Sequence, residues 1–196
     1  DVLKPLVNRE NGLHLGRTMT HVALDEIPGM SRLTALTDGG MIPYPTLEEK
    51  KDIIINAVEM LRSLGYDRPS VAVLCAVEKV NPKMVETTDA EALVAMNRQG
   101  LIPNCDVVGP ISYDIAMSAV IAEEKKYSCP YCGQFDILLA PSMVAGNLLN
   151  KSLTVSGGAL MAGVVMGARV PVVVTSRGST STEKFFSLAL ASLIVN

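Results

Sequence analysis

Pro69-Ser70-Val71-Ala72-Val73-Leu74-Cys75-Ala76 sets an almost wholly apolar run of strand length behind a proline. A strand with one wet face alternates apolar and polar residues, whereas a strand apolar at every position is buried on both faces. Such strands belong to sheets covered by helices on either side. Upstream, Thr46-Leu47-Glu48-Glu49 has the spacing of a capping box, with Leu47, Ile54, Ala57, Val58, Leu61 and Leu64 on one helical face and Gly65 as the stop. Downstream, Thr88 with Glu91 predicts a second capped helix that ends near Gly100. The cycle then repeats: a strand around Val107, a helix over Ser112–Glu124, a strand over Phe135–Ala140, and a helix capped by Ser142 and running to Leu153. Pro171–Thr175 reads as the last strand, and a helix from about Thr180 to Ile194 closes the chain. The expected fold is α/β, a mainly parallel sheet with helices on both faces. Val22–Leu36 fits a hairpin or an antiparallel addition to it.

Composition narrows the partners. The chain has 196 residues, and 17 Lys and Arg against 20 Asp and Glu leave a net charge of −3, so there is no basic field to hold nucleic acid or an anionic membrane. Residues 1–98 carry 11 basic and 14 acidic side chains and residues 99–196 only 6 and 6, so the second half is the more apolar. Its longest uncharged run, Ser152–Ala168, is 17 residues long but is broken by Ser, Thr and four Gly, so it reads as core and not as a membrane span. The start, Asp1-Val2-Leu3-Lys4-Pro5, lacks an initiator Met and an apolar signal segment. A cytoplasmic location and a fragment of a longer protein are the corresponding expectations.

The common nucleotide motifs are missing, because the glycines at 157, 158, 163 and 167 have neither phosphate-loop nor dinucleotide spacing. Together with Ala159 and Ala162 they suit close helix packing, or alternatively the approach of a ligand. Cys75 and Cys105 read as small core residues, and Cys129-Pro130-Tyr131-Cys132 is a CxxC open to three readings: incidental loop cysteines, a redox pair or a metal site. A zinc ribbon needs a second pair, so no metal is expected. His14 and His21 are the only histidines, no serine sits in a nucleophile elbow, and both read as structural. The most informative stretch is Val174-Thr175-Ser176-Arg177-Gly178-Ser179-Thr180-Ser181-Thr182-Glu183, where a strand end, a hydroxyl, a guanidinium and a helix start converge. That arrangement suits an anion, since the helix amides are free and the guanidinium fork matches a phosphate. Thr180 and Glu183 have capping-box spacing, so Glu183 is either a cap or a general base.

The chain resembles the phosphotransacylases, phosphate butyryltransferase and phosphate acetyltransferase, with the butyryl branch the nearer. The resemblance rests on an ordered set: Gly16-Arg17 with His21-Val22-Ala23, Leu36-Thr37-Asp38, Leu47-Glu48-Glu49-Lys50, Val80-Asn81-Pro82-Lys83-Met84, Gly109-Pro110, Ala145-Gly146-Asn147, Lys151-Ser152-Leu153, Met166-Gly167-Ala168 and Thr175-Ser176-Arg177. It departs from the butyryl pattern at Val108, at Pro141-Ser142 and at Gly178-Ser179-Thr180, where acidic residues are usual.

Several expectations follow from that resemblance. The architecture would be two α/β domains with a cleft between them, the first incomplete here: residues 1–17 as its remnant, 18–165 as the second domain, and 166–196 as the closing strand and helix of the first. The reaction would be acyl-CoA + phosphate = CoA + acyl phosphate, with coenzyme A as substrate and no permanently bound cofactor. Ser176 and Arg177 match the family's Ser-Arg pair and would stabilise the developing oxyanion and the phosphoryl oxygens. Glu183 lies at the acidic position and would deprotonate the thiol. Arg17, Gly146, Asn147, Lys151 and Thr175 would bind phosphate or coenzyme A. A homodimer or larger assembly is implied. The alternative is a non-catalytic coenzyme A-binding or oligomerisation module.

Overall fold

Six strands form one sheet in the order β4-β3-β5-β2-β1-β6. The computed structural model describes residue 13 and residues 15–195; His14 and most of the 1–17 segment lie outside the described residues. In chain order the elements are β1 (Thr20–Glu26), β2 (Thr34–Thr37), α1 (Leu47–Ser63), β3 (Ser70–Leu74), α2 (Val85–Arg98), β4 (Asp106–Ile111), α3 (Tyr113–Met117), α4 (Ala119–Glu124), β5 (Ile137–Leu139), α5 (Met143–Lys151) with a π turn over Ser152–Ser156, β6 (Leu160–Met166) and α6 (Ser181–Leu193). Strands β4, β3, β5 and β2 run parallel, and β1 pairs antiparallel with both β2 and β6. The α/β expectation and the antiparallel addition both hold.

Burial divides the helices between the faces. Val22, Leu24, Val71, Val73, Ile137 and Leu139 share one core with α1 and α2, joined by Leu190 and Ile194 from the chain end. Leu36, Ala72, Leu74 and Leu138 share the other with Ile115, Ala116, Ala122 and Phe135. Strand β3 is buried at all five positions, as its run of apolar residues requires. The Thr46–Glu49 capping box is complete, and Gly65 takes φ +95° just past α1. Between α1 and α2, Lys50 Nζ meets Asp89 Oδ2 at 2.7 Å.

Four local expectations change. Helix α2 begins at Val85 and not near Thr88, because the Thr87 hydroxyl accepts from Asn81 N–H at 2.9 Å and donates back to this turn, which sets the start earlier. The helix over Ser112–Glu124 breaks at Ser118, which turns extended and caps α4 through Ile121 N–H. The glycine-bearing stretch Leu160–Met166 is strand β6 and not a helix face. The strand expected over Pro171–Thr175 is reduced to one bridge, in which Val165 N–H donates to Val172 O at 2.7 Å. Helix α6 covers the rest of that border: Gly163 N–H donates to Ser187 Oγ at 3.0 Å, and Ser187 Oγ donates to Glu183 O at 2.7 Å. No helix among the described residues is long and apolar enough to cross a membrane.

Candidate active site

The carboxyl ends of β2 and β5 and the start of antiparallel β1 meet at one edge of the sheet, so the turns that follow them open on the same space. After β2, Asp38 is buried and its carboxylate accepts from the N–H groups of Gly40, Met41 and Ile42 at 2.7, 2.9 and 3.2 Å. These bonds fold residues 38–42 into a tight loop. Burial raises the Asp38 pKa above the usual carboxylate value, and the amide donors oppose the shift. Helix α5 presses onto this loop because residue 146 is glycine: a Cβ there would lie 2.7 Å from Asp38 O. Asn147 Nδ2 then donates to Gly39 O at 3.0 Å and locks helix to loop.

A cavity of about 240 Å³ lies above this junction. His21 and Ala23 of β1, Gly39 and Gly40 of the loop, Asn147, Asn150 and Lys151 of α5, and Val174, Thr175 and Ser176 from the chain beyond β6 are among its walls. Period-2 alternation puts His21, Ala23 and Asp25 on the same face of β1. His21 packs beside Gly40 and against Gly163, and burial pushes its pKa down to about 4, so the imidazole is neutral near pH 7. Asp25 is fully buried and its carboxylate is met by Asn150 Nδ2 at 3.4 Å. Burial pushes its pKa up to about 7 against the Asn150 hydrogen bond, and the negative field of Glu183 adds to the rise.

Of the residues expected from sequence, Asn147, Lys151, Thr175 and Ser176 come together at this cavity. Gly146 lies beneath it as a packing contact. Arg17 is turned away to α1, where its guanidinium grips the Glu59 carboxylate from two nitrogens, one at 2.7 Å. Arg177 is exposed in the turn just past the wall. Glu183 completes the capping box: its Oε2 accepts from Thr180 N–H at 2.7 Å and from Thr180 Oγ1 at 3.1 Å. His21 and Asn150 were missed by sequence reasoning. Their signal was the two-residue alternation of His21 with Ala23 and the one-turn spacing of Asn147 and Lys151 around Asn150.

A second groove, about 710 Å³, opens at the carboxyl edge beyond β3 and β4, with Lys79, Asn81, Lys125, Lys126 and Tyr127 in its walls. Lys125 is held by Asp114 at 2.9 Å and Glu78 at 3.5 Å. Among the described residues, no group of three or more His, Cys, Asp and Glu could hold a metal ion.

A largely apolar cavity with polar groups in its walls, set at the carboxyl edge of a mainly parallel sheet, defines an α/β domain of the kind that binds small molecules between its strand ends and helices. Residues 1–192 match the family described as phosphate acetyl/butaryl transferase. The chain is 43% identical over 190 residues to a probable phosphate butyryltransferase of Bacillus subtilis, covering 97% of this chain and 64% of that protein. It is 39% identical over 193 residues to a phosphate acetyltransferase of Thermotoga maritima, covering 98% of this chain and 66% of the relative. The crystal structure of a branched-chain phosphotransacylase from Enterococcus faecalis superimposes with a TM-score of 0.90 at 37% identity, over 98% of this chain and 69% of that one. The chain therefore belongs to the phosphate acetyl/butyryl transferase family, and it spans about 64% of the length of the Bacillus relative.

Proposed function

We propose that the protein transfers a short acyl group between coenzyme A and inorganic phosphate, acyl-CoA + phosphate = CoA + acyl phosphate. The observation that carries this reading is the meeting of Lys151, Thr175 and Ser176 at one cavity whose size suits an acyl phosphate. Relatives named for butyryl and acetyl transfer support a short acyl chain. In this reading Lys151 and the Arg177 guanidinium receive the phosphoryl oxygens, and the Thr175 and Ser176 hydroxyls face the reacting carbonyl. A phosphate oxygen attacks the thioester carbonyl, the carbonyl oxygen takes the negative charge, and collapse expels the coenzyme A thiolate. Ser176 donates to that oxyanion as it forms. In reverse, Glu183 accepts the thiol proton through Oε1, the oxygen that the cap leaves free. The larger groove beyond β3 and β4 gives the bulk of coenzyme A room on the same edge.

The partners we propose are acyl-CoA and phosphate, with no resident cofactor, a cytoplasmic location, and association with further copies. The exposed Phe185, Leu188 and Leu193 of α6 support an added protein surface there.

The test is phosphate-dependent loss of acyl-CoA with release of free thiol, in the protein and in Arg177→Ala. We expect turnover in the first and loss of most of it in the second. Full turnover in Arg177→Ala would remove the assigned role. Coenzyme A binding by calorimetry without any thiol release would favour the non-catalytic module.

A further inference from the structure

The transfer reaction makes no use of Cys129 and Cys132. All four cysteines are free. Cys75 and Cys105 are buried, and burial pushes each thiol up to about 11. The CxxC pair differs in setting, because it lies in the loop between α4 and β5, where Cys129 is half-buried beside a buried Cys132. Cys132 belongs to the small core beneath the loop, and Cys129 packs against that same core.

The loop holds this arrangement from both ends. Tyr127 N–H donates to Ala122 O at 2.8 Å before the pair, and Gly133 N–H donates to Ala116 O at 2.9 Å after it. Gly133 takes φ +78°, and a Cβ there would lie 2.8 Å from Ala119 N, so only glycine lets the loop seat this closely. Between the anchors, Gln134 N–H donates to Tyr131 O and Gln134 Nε2 to Pro130 O, both at 2.9 Å. Tyr131 adds an outer brace: its hydroxyl donates to Asp106 Oδ2 at 2.8 Å, and its ring lies 5.8 Å from that of Phe135. Two thiols three residues apart, in one loop anchored at both ends and packed on one core, have less freedom to lose on joining, which favours the intramolecular bond over a bond to a free thiol.

We propose that Cys129 and Cys132 are a reversible dithiol–disulfide site, oxidised by exchange with a disulfide such as glutathione disulfide. The half-buried Cys129 reacts first. Its thiolate attacks one sulfur of glutathione disulfide, forming a mixed disulfide and releasing one glutathione thiol. Cys132 then gives up its proton, attacks the Cys129 sulfur and expels the second glutathione. The two protein thiols lose two hydrogens and the glutathione disulfide gains them. Burial pushes the Cys132 thiol up to about 11, which keeps it from reacting alone and casts it as the resolving partner. A metal is less well served, because the pair has no third ligand among the described residues.

The test treats the full chain with glutathione disulfide, alkylates what remains under denaturing conditions, and measures intact and peptide masses. The expected product has lost two hydrogens, carries a Cys129–Cys132 crosslink and keeps alkylated Cys75 and Cys105; dithiothreitol restores it completely. Cys132→Ser should trap a stable glutathione adduct on Cys129, and Cys129→Ser should form neither adduct nor crosslink. Cys132→Ala serves as a second trapping variant should the serine not fold. A persistent glutathione adduct on the unmodified sequence, or both thiols still alkylated after oxidation, would overturn the proposal.

Discussion

Gly163 of β6 stands beside His21 of β1 with room for a hydrogen only: a Cβ on Gly163 would lie 2.7 Å from His21 Nε2. The imidazole wall of the cavity thus depends on a missing side chain in the neighbouring strand. Gly163→Ala should destabilise the protein by about 1–3 kcal/mol, the usual range for overpacking. Adding His21→Ala should recover part of the loss, and urea unfolding of the four proteins in that cycle gives the coupling. Simple additivity would show that the contact carries no strain.

Asp25 gives a prediction with a definite sign. Its pKa is about 7 folded, against an ordinary value of 3.8. Between those values the native state keeps a proton that the unfolded chain releases, so this carboxyl makes stability fall as pH rises from about 4 to about 7. Asp25→Asn should therefore unfold at higher urea than the natural sequence at pH 8, by a few kcal/mol, and at the same urea near pH 4. Equal midpoints at both pH values would mean that the folded carboxyl titrates normally.

His21 slopes the other way. A folded pKa of about 4 against an ordinary 6.5 makes its contribution fade as pH falls through that window. The two groups offset each other, so the natural sequence should show a flatter pH profile between about 4 and about 6.5 than either Asp25→Asn or His21→Gln. Unfolding midpoints across that range check it.

Glutamine serves a capping box as well as glutamate. Glu183→Gln should thus unfold within about 0.5 kcal/mol of the natural sequence, whereas Glu183→Ala should lose about 1 kcal/mol. If Glu183 takes the thiol proton, Glu183→Gln should also lower acyl transfer to coenzyme A by roughly 100-fold or more. Unchanged transfer would leave Glu183 with the cap alone.

Lys151 has no ion-pair partner among the described residues and ends α5 at the cavity wall. Lys151→Ala should raise the KM for phosphate roughly tenfold, the loss of one charge-assisted hydrogen bond, with far less effect on the KM for acyl-CoA. Initial rates at varied phosphate decide it.

What could be read from the sequence was what is decided locally. The boxes at Thr46–Glu49 and Thr180–Glu183 close within one turn and formed as spaced. Thr88 and Glu91 have the same spacing but no box, since Asn81 ties to Thr87 and starts the helix earlier. Gly163 within Leu160–Met166 read as part of a small-residue helix face because its purpose lies in another strand, and it is explained only by His21 across the sheet. Arg17 shows the same limit: its partner, Glu59, is 42 residues away, and no spacing rule points to it. Ser176 was legible as chemistry and Lys151 through the family resemblance, but their meeting at one cavity is a product of topology.

The hydroxyl of Ser187 and the carbonyl of Val172 occupy two outward amides of β6. A guest strand from another molecule would find those donors already taken, which blunts this border as a template for strand pairing. Copies that meet along this side must do so through side chains, which leaves their choice of neighbour open to single substitutions on α6.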